Sequence, residues 1–194
     1  GHLSEADFLS RNERLQQMMV VGKEIASPIL NVFDDGSVTG LRGSCKYDDE
    51  GMRTQRTYLI KDGFLVGRLH SRETAYLLRE NPTGNARTVS YRFAPIVRMS
   101  NTAIEEGKTE REDLFRDVDH GLYAVEYIGG NTALELFTFS AAYGYRIEKG
   151  KRGEMVKDVV LSGNLFRTLK KIDAVASDFR WTQIGGCGKG AQVG

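Results

Sequence analysis

The run Thr57-Tyr58-Leu59-Ile60, Lys61-Asp62-Gly63, Phe64-Leu65-Val66 constrains this chain more than any other stretch. Two β-prone segments flank an Asp-Gly pair, and Asp-Gly tolerates the positive φ angles that a tight hairpin turn demands. The spacing predicts an antiparallel hairpin over 57–66, so part of the fold is an antiparallel sheet. Glycine supplies 22 of the 194 residues and proline only 3, which favours many tight turns in an ordered chain over disorder. Downstream, 121–128, 133–139, 142–148 and 156–162 read as successive strands separated by glycine-containing turns at 129–130 and 150–153. Ile29 to Phe33 reads as a further strand ending at the turn signal Asp34-Asp35-Gly36, and Asp48-Asp49-Glu50-Gly51 reads as a second turn.

Helices are expected to be short. Leu3 to Val20 carries Leu3, Ala6, Phe8 and Leu9 on one side, and Arg72 to Glu80 places Ala75, Tyr76 and Leu78 on one face before stopping at Asn81-Pro82. Thr109 with Glu112 forms a candidate capping box ahead of Leu114, Phe115 and Val118. Asn164 is a candidate cap for a last helix carrying Leu165, Leu169, Ile172 and Ala176. Residues 81–101 lack periodicity and read as an extended ordered loop. With no internal repeat or linker, the expectation is one domain over 1–194, of α+β class: an antiparallel, strand-rich sheet or barrel-like domain with a few short helices.

Lys+Arg 27 against Asp+Glu 26 leaves a net charge of +1, which removes the electrostatic basis for nucleic-acid binding. The longest purely apolar stretch, Met18 to Val21, falls far short of the roughly 20 residues of a membrane span. Cys45 and Cys187 are the two cysteines, too few and too far apart for a disulfide framework, so a cytoplasmic protein is expected. No signal-peptide pattern opens the chain.

Candidate chemistry is sparse: His2, His70, His120 and the two cysteines. The loop Gly185-Gly186-Cys187-Gly188-Lys189-Gly190 does not match a phosphate-binding loop, because no Ser or Thr follows Lys189. Cys187 between glycines leaves its sulfur approachable by a metal or an oxidant, the alternative being an inert cysteine. His70 and His120 read as surface or strand-end residues, Cys45 as a small buried hydrophobe on a strand, and Asp48-Asp49-Glu50 as a solvated turn.

An ordered series of motifs adds to this. Gly1-His2-Leu3-Ser4-Glu5-Ala6-Asp7-Phe8, Asp34-Asp35-Gly36, Arg42-Gly43-Ser44, Asp48-Asp49-Glu50-Gly51 and Leu59-Ile60-Lys61-Asp62-Gly63 open it. Pro82-Thr83-Gly84-Asn85, Arg98-Met99-Ser100-Asn101-Thr102, Tyr145-Arg146-Ile147-Glu148-Lys149-Gly150 and Cys187-Gly188-Lys189 continue it. Taken together they resemble the TldD/PmbA family, also called modulator of DNA gyrase, and its TldD-like branch of zinc metallopeptidases in particular. The resemblance spans essentially the whole chain. It departs at Ala191, where the family tends to have glycine, and at Leu136, where a glycine commonly precedes the phenylalanine.

The resemblance implies that Gly1-His2 is the tail of a His-Glu-x-x-x-His motif, with His2 the second zinc histidine and Cys187 the third protein ligand. A terminal Gly-His by itself is also what a cloning site leaves behind. Zinc accepts imidazole and thiolate together, and a catalytic zinc keeps three protein ligands and one open position for the water that attacks the peptide carbonyl. The first histidine and the general-base glutamate would fall immediately before Gly1. No catalytic or cofactor-binding residue is therefore assigned within the chain, which by itself is expected to lack peptidase activity and to hold zinc weakly or not at all. Two histidines five residues apart lie about 140° apart around an ideal helix, so the helix is expected to be distorted near His2.

The function implied is zinc-dependent cleavage of unfolded or peptide substrates, alongside a TldE/PmbA-like subunit in a heterodimer or higher oligomer. The alternative is a noncatalytic interaction or assembly module in which Cys187 is structural.

Overall fold

A computed structural model describes residues 2–10, 12–182, 187–189 and 192–193. The chain divides into two compact units, one formed by Gly1–Glu105 with Gly185–Gly194 and the other by Glu106–Ile184.

The first unit opens with a 3₁₀ turn at His2–Ser4, then α1 (Ala6–Ser10) and α2 (Glu13–Met18). One helix over residues 3–20 was expected. The chain instead breaks twice, because Glu5 leaves the helix to bridge Leu69 and Asn12 caps α2 by accepting from the Leu15 N–H at 3.1 Å. The sheet that follows contains β1 (Val32–Asp35), β2 (Arg56–Lys61) and β3 (Phe64–Leu65). The 57–66 hairpin forms as expected, with positive φ at both Asp62 (50°) and Gly63 (82°), the signature of a primed two-residue turn. α3 (Arg72–Leu78) starts at Ser71, whose side chain accepts from the Thr74 N–H, and ends at Arg79 in the left-handed conformation. β4 (Ala86–Arg87) pairs with β5 (Ile96–Val97), so the expected 81–101 loop contains a short ribbon. β6 (Thr102–Ile104) completes a four-stranded antiparallel sheet in the order β3-β2-β1-β6.

Leu59, Leu69 and Val97 form a fully buried cluster against which Val32 and Met99 pack. At about 1.5–3 kcal/mol for each large side chain buried, this cluster fixes the sheet against the 97–99 stretch. Asp34-Asp35, read as part of a turn signal closing a strand, end β1 and are buried. Asp34 accepts from Asn85 Nδ2 at 2.9 Å, Ser100 N–H at 2.9 Å, Ser100 Oγ at 2.5 Å and Thr102 Oγ1 at 2.8 Å. Those donors lie 51 to 68 residues away in sequence, which is why a local reading assigns the pair to a turn.

In the second unit a 3₁₀ turn at Arg111–Phe115 replaces the helix expected after Thr109. Thr109 instead bridges Ala176 in parallel, and the turn has no side-chain cap hydrogen bond. Two long strands follow, β7 (His120–Ala133) and β8 (Leu136–Glu148), with β9 (Lys151–Val156) and β10 (Val160–Asn164) on β8. Gly129-Gly130 is therefore not a turn but lies inside β7, beside a register shift, and 139–142 is continuous strand. The reversal falls at Leu134 and Glu135, with Leu134 at φ 55°. Asn164 caps α4 (Leu165–Leu169) as expected, but the helix stops there, short of Ile172 and Ala176.

Back in the first unit, β11 (Gly188–Lys189) pairs antiparallel with β12 (Gln192–Val193). The remainder of the expected glycine-rich loop, residues 185–186 and 190, lies outside the described residues, as does Gly1. Antiparallel pairing dominates throughout and no closed barrel forms among the described residues, so the fold is the strand-rich α+β class the sequence implied. Among those residues no helix is long and apolar enough to cross a membrane.

Candidate metal centre

The first unit brings the two ends of its sequence together. Ser4 accepts from the Leu69 N–H at 2.8 Å and the Ala6 N–H donates to the Leu69 carbonyl at 3.0 Å, which hooks the N-terminal segment onto the core residue Leu69. The 97–99 stretch then grips both ends. Met99 N–H donates to Glu5 Oε1 at 3.3 Å, Arg98 donates to the Cys187 carbonyl, and Lys189 Nζ donates to the Val97 carbonyl at 2.9 Å.

As a result His2 Nε2 faces Cys187 Sγ at 2.8 Å across 185 residues of sequence. The two residues named as candidate ligands are brought together. The other ring nitrogen, His2 Nδ1, meets Glu5 Oε2 at 3.0 Å. The backbone at His2 is 3₁₀ and regular helix begins only at Ala6, in line with the distortion expected there. Cys187 is exposed, His2 is partly exposed and Glu5 is completely buried, so the sulfur and imidazole sit at the surface with a charged group beneath them.

Burial pushes the Glu5 carboxyl up, but hydrogen bonds from His2 and Lys189, with their positive charge, outweigh it and hold Glu5 below the ordinary carboxylate range. An ionised carboxylate only accepts, so His2 Nδ1 is the donor, and in a neutral ring that tautomer leaves the Nε2 lone pair towards Cys187. Neutral imidazole with a thiol opposite is a donor set that fits zinc, and a carboxylate behind the ring is the usual support for a metal-ligating histidine. Among the described residues no group of three or more His, Cys, Asp or Glu side chains is arranged to hold a metal ion. The same geometry also places a thiol beside an oriented base, the arrangement of a cysteine nucleophile.

Other candidates fall elsewhere. His70, expected at the surface or a strand end, is buried (1% exposed), with Nδ1 on Thr74 Oγ1 at 3.2 Å and Nε2 on Glu80 Oε2 at 2.9 Å. Both ring nitrogens are thus satisfied, which is what allows the burial. His120 begins β7 and is exposed, as expected. Cys45 is on neither a strand nor the core. It lines an open pocket of about 400 Å³ with Ser37, Thr39, Ser44 and Thr54. The Asp48 carboxylate accepts from the backbone N–H groups of Glu50, Met52 and Ala86 at 2.8–3.0 Å, so it organises its own turn. Sequence reasoning missed Glu5, Lys189 and Arg98. Glu5 lies three residues after His2 and Lys189 two after Cys187, spacings that put each beside its ligand in a helical turn and an extended segment respectively.

A buried carboxylate, an imidazole and a thiol thus meet on a strand-rich α+β scaffold, a constellation compatible with metal-dependent or thiol-dependent hydrolytic domains. Residues 1–192 match the family model of the PmbA/TldA metallopeptidase C-terminal domain, and the chain belongs to that family. A metalloprotease of Synechocystis sp. is 52% identical over the whole chain, and the zinc metalloprotease TldD homolog of Saccharolobus solfataricus is 34% identical. The chain spans 42% and 43% of their lengths. In three dimensions it resembles a crystal structure titled as a modulator of DNA gyrase from Thermotoga maritima, with TM-score 0.80 and 26% identity over 93% of this chain and 41% of that one. TldE from Thermococcus kodakarensis shares the fold, at TM-score 0.76 and 22% identity over 91% of this chain and 40% of that one.

Proposed function

We propose that this chain is the C-terminal part of a TldD-like zinc metallopeptidase, with His2 and Cys187 as two of three protein ligands. The observation that carries the reading is the approach of His2 Nε2 to Cys187 Sγ at 2.8 Å, with His2 Nδ1 anchored on buried Glu5. When bound there, zinc would supply a Lewis acid able to activate water and polarise a peptide carbonyl. The chain's own residues orient the imidazole through Glu5 and hold the thiol segment through Arg98 and Lys189. The remaining ligand, the other histidine of the motif, and the general-base glutamate are proposed to lie in the part of the longer protein that this chain does not span, and the proposed substrate is an unfolded or extended peptide. Such a peptide can pair with an open strand edge through main-chain hydrogen bonds, with little demand on its side chains. A TldE/PmbA-like subunit is the proposed partner, and the cytoplasm the proposed compartment.

A second reading rests on the same sulfur–nitrogen approach: Cys187 as a thiol nucleophile, His2 as its base and Glu5 as the orienting group. Chelation separates the two. Zinc content and hydrolysis of an unfolded peptide are measured on the full-length protein and on its Cys187→Ser variant. One zinc per chain, with activity abolished by chelator and by Cys187→Ser, supports the metallopeptidase. Activity that survives chelation but not alkylation favours the thiol. A folded protein with neither zinc nor activity is an assembly module, and the ligand assignment is then wrong.

A further inference from the structure

Resting on the metal-site reading above, we propose that Glu5 and Lys189 are the positioning pair of the centre. Glu5 fixes the tautomer and plane of the His2 ring, and Lys189 locks the Cys187 segment against Glu5 so that the two ligands face each other before metal arrives.

The geometry assigns these roles by exhausting the bonds each group can make. A lysine ammonium has three N–H donors. Those of Lys189 are taken by Glu5 Oε2 at 2.9 Å, Asp7 Oδ1 at 2.5 Å and the Val97 carbonyl at 2.9 Å. No donor remains for a substrate, so Lys189 holds rather than reacts. Its three acceptors belong to the N-terminal segment and to the end of β5, and it lies two residues from Cys187. β11 begins at Gly188, the residue after Cys187, so anchoring Lys189 anchors the short segment that carries Cys187.

Glu5 is equally committed. Its Oε1 accepts from the Met99 N–H, and its Oε2 accepts from both His2 Nδ1 and Lys189 Nζ. That shared oxygen couples the two ligands: a movement of Lys189 changes the acceptor that sets the His2 ring. A carboxylate placed only for stability has no need to meet the inward nitrogen of a ring whose other nitrogen faces a thiol. Carboxylates that support metal-bound histidines do meet that nitrogen, and losing one costs about 10–100-fold in metal affinity.

The test uses the full-length protein, wild type beside Lys189→Met, Glu5→Gln and Cys187→Ser. Co2+ is titrated to read the thiolate-to-cobalt absorption band, and Zn2+ affinity is measured by competition with a chromophoric chelator. The expected result is a band in the wild type that vanishes in Cys187→Ser. Lys189→Met and Glu5→Gln should keep a native far-UV CD spectrum, shift or weaken the band, and lower Zn2+ affinity about 10–100-fold. A role in stability alone lowers the unfolding temperature and leaves the cobalt spectrum of the folded protein unchanged. Should Lys189→Met not fold, Asp7→Ala removes one of its three acceptors and leaves the His2–Glu5 contact intact, with a smaller loss of affinity expected. Wild-type band and affinity in every folded positioning variant overturn the pair and leave the metal site standing. Absence of a thiolate band in the wild type overturns the metal site and the pair with it.

Discussion

Replacing Asp34 by alanine should loosen the candidate centre from a distance, and the size of the effect follows from its hydrogen bonds. Asp34 is 1% exposed. Its removal takes the acceptor from the Ser100 N–H, the Ser100 hydroxyl and the Thr102 hydroxyl. Asn85 keeps a second acceptor, the Arg98 carbonyl at 3.0 Å. A buried donor left without a partner costs about 1–3 kcal/mol, and hydroxyls can turn towards other acceptors, so about 3 kcal/mol is expected for the three. Because the chain forms two units, a single global unfolding free energy is a poor gauge, and amide hydrogen exchange resolved by residue is the better assay. Protection at Leu59, Ile60 and Ser100 should fall about a hundredfold, while β7 and β8 in the other unit stay within about twofold. Because Arg98 and Met99 precede Ser100 and hold Cys187 and Glu5, Zn2+ affinity should fall alongside. Exchange at Ser100 within about threefold of wild type would refute the claim that Asp34 anchors this stretch.

Burial pushes the Asp35 carboxyl up, yet hydrogen bonds from Ser37 and Arg56 hold it below the ordinary range. Its stabilising contribution is therefore complete above about pH 5 and is lost as pH falls through the depressed folded value, below about pH 4. The gap in unfolding temperature between wild type and Asp35→Asn should be flat above that window and shrink below it, and a gap constant down to pH 3 contradicts the assignment. The neighbouring glycines of β7 should respond unequally to alanine: a Cβ at Gly130 would stand 2.9 Å from Phe139 Cα, whereas one at Gly129 meets nothing within 4 Å. Thermal unfolding should show a loss of about 2 kcal/mol for Gly130→Ala and a change within about 0.5 kcal/mol for Gly129→Ala, and equal effects would refute the packing argument. Ser71→Ala removes the cap of α3 and should cost about 1 kcal/mol, read by urea denaturation.

What the sequence shows and what it hides divide along the distance over which each interaction acts. The Asp62-Gly63 hairpin and the start of α3 were legible because the turn angles and the Ser71 cap are set within four residues. Gly129-Gly130 misleads because glycine has two uses. Gly130 is there so that β8 can come close, while the chain actually reverses at Leu134-Glu135 with no glycine at all. The turn signal at Asp34-Asp35 hides the burial of Asp34, because the donors that satisfy its carboxylate arrive from 51 to 68 residues away. The candidate ligands His2 and Cys187 were legible from the motif series, but the structure that aims them was not, since Lys189 reaches Asp7 across 182 residues. Pairing a surface thiol with an imidazole needs little more than proximity. Keeping the imidazole in one tautomer needs a buried charge, and keeping that charge ionised needs a counter-charge delivered from the other end of the chain. On the proposed metal-site reading, that requirement accounts for a buried carboxylate at Glu5, just before α1, and for a lysine two residues after Cys187.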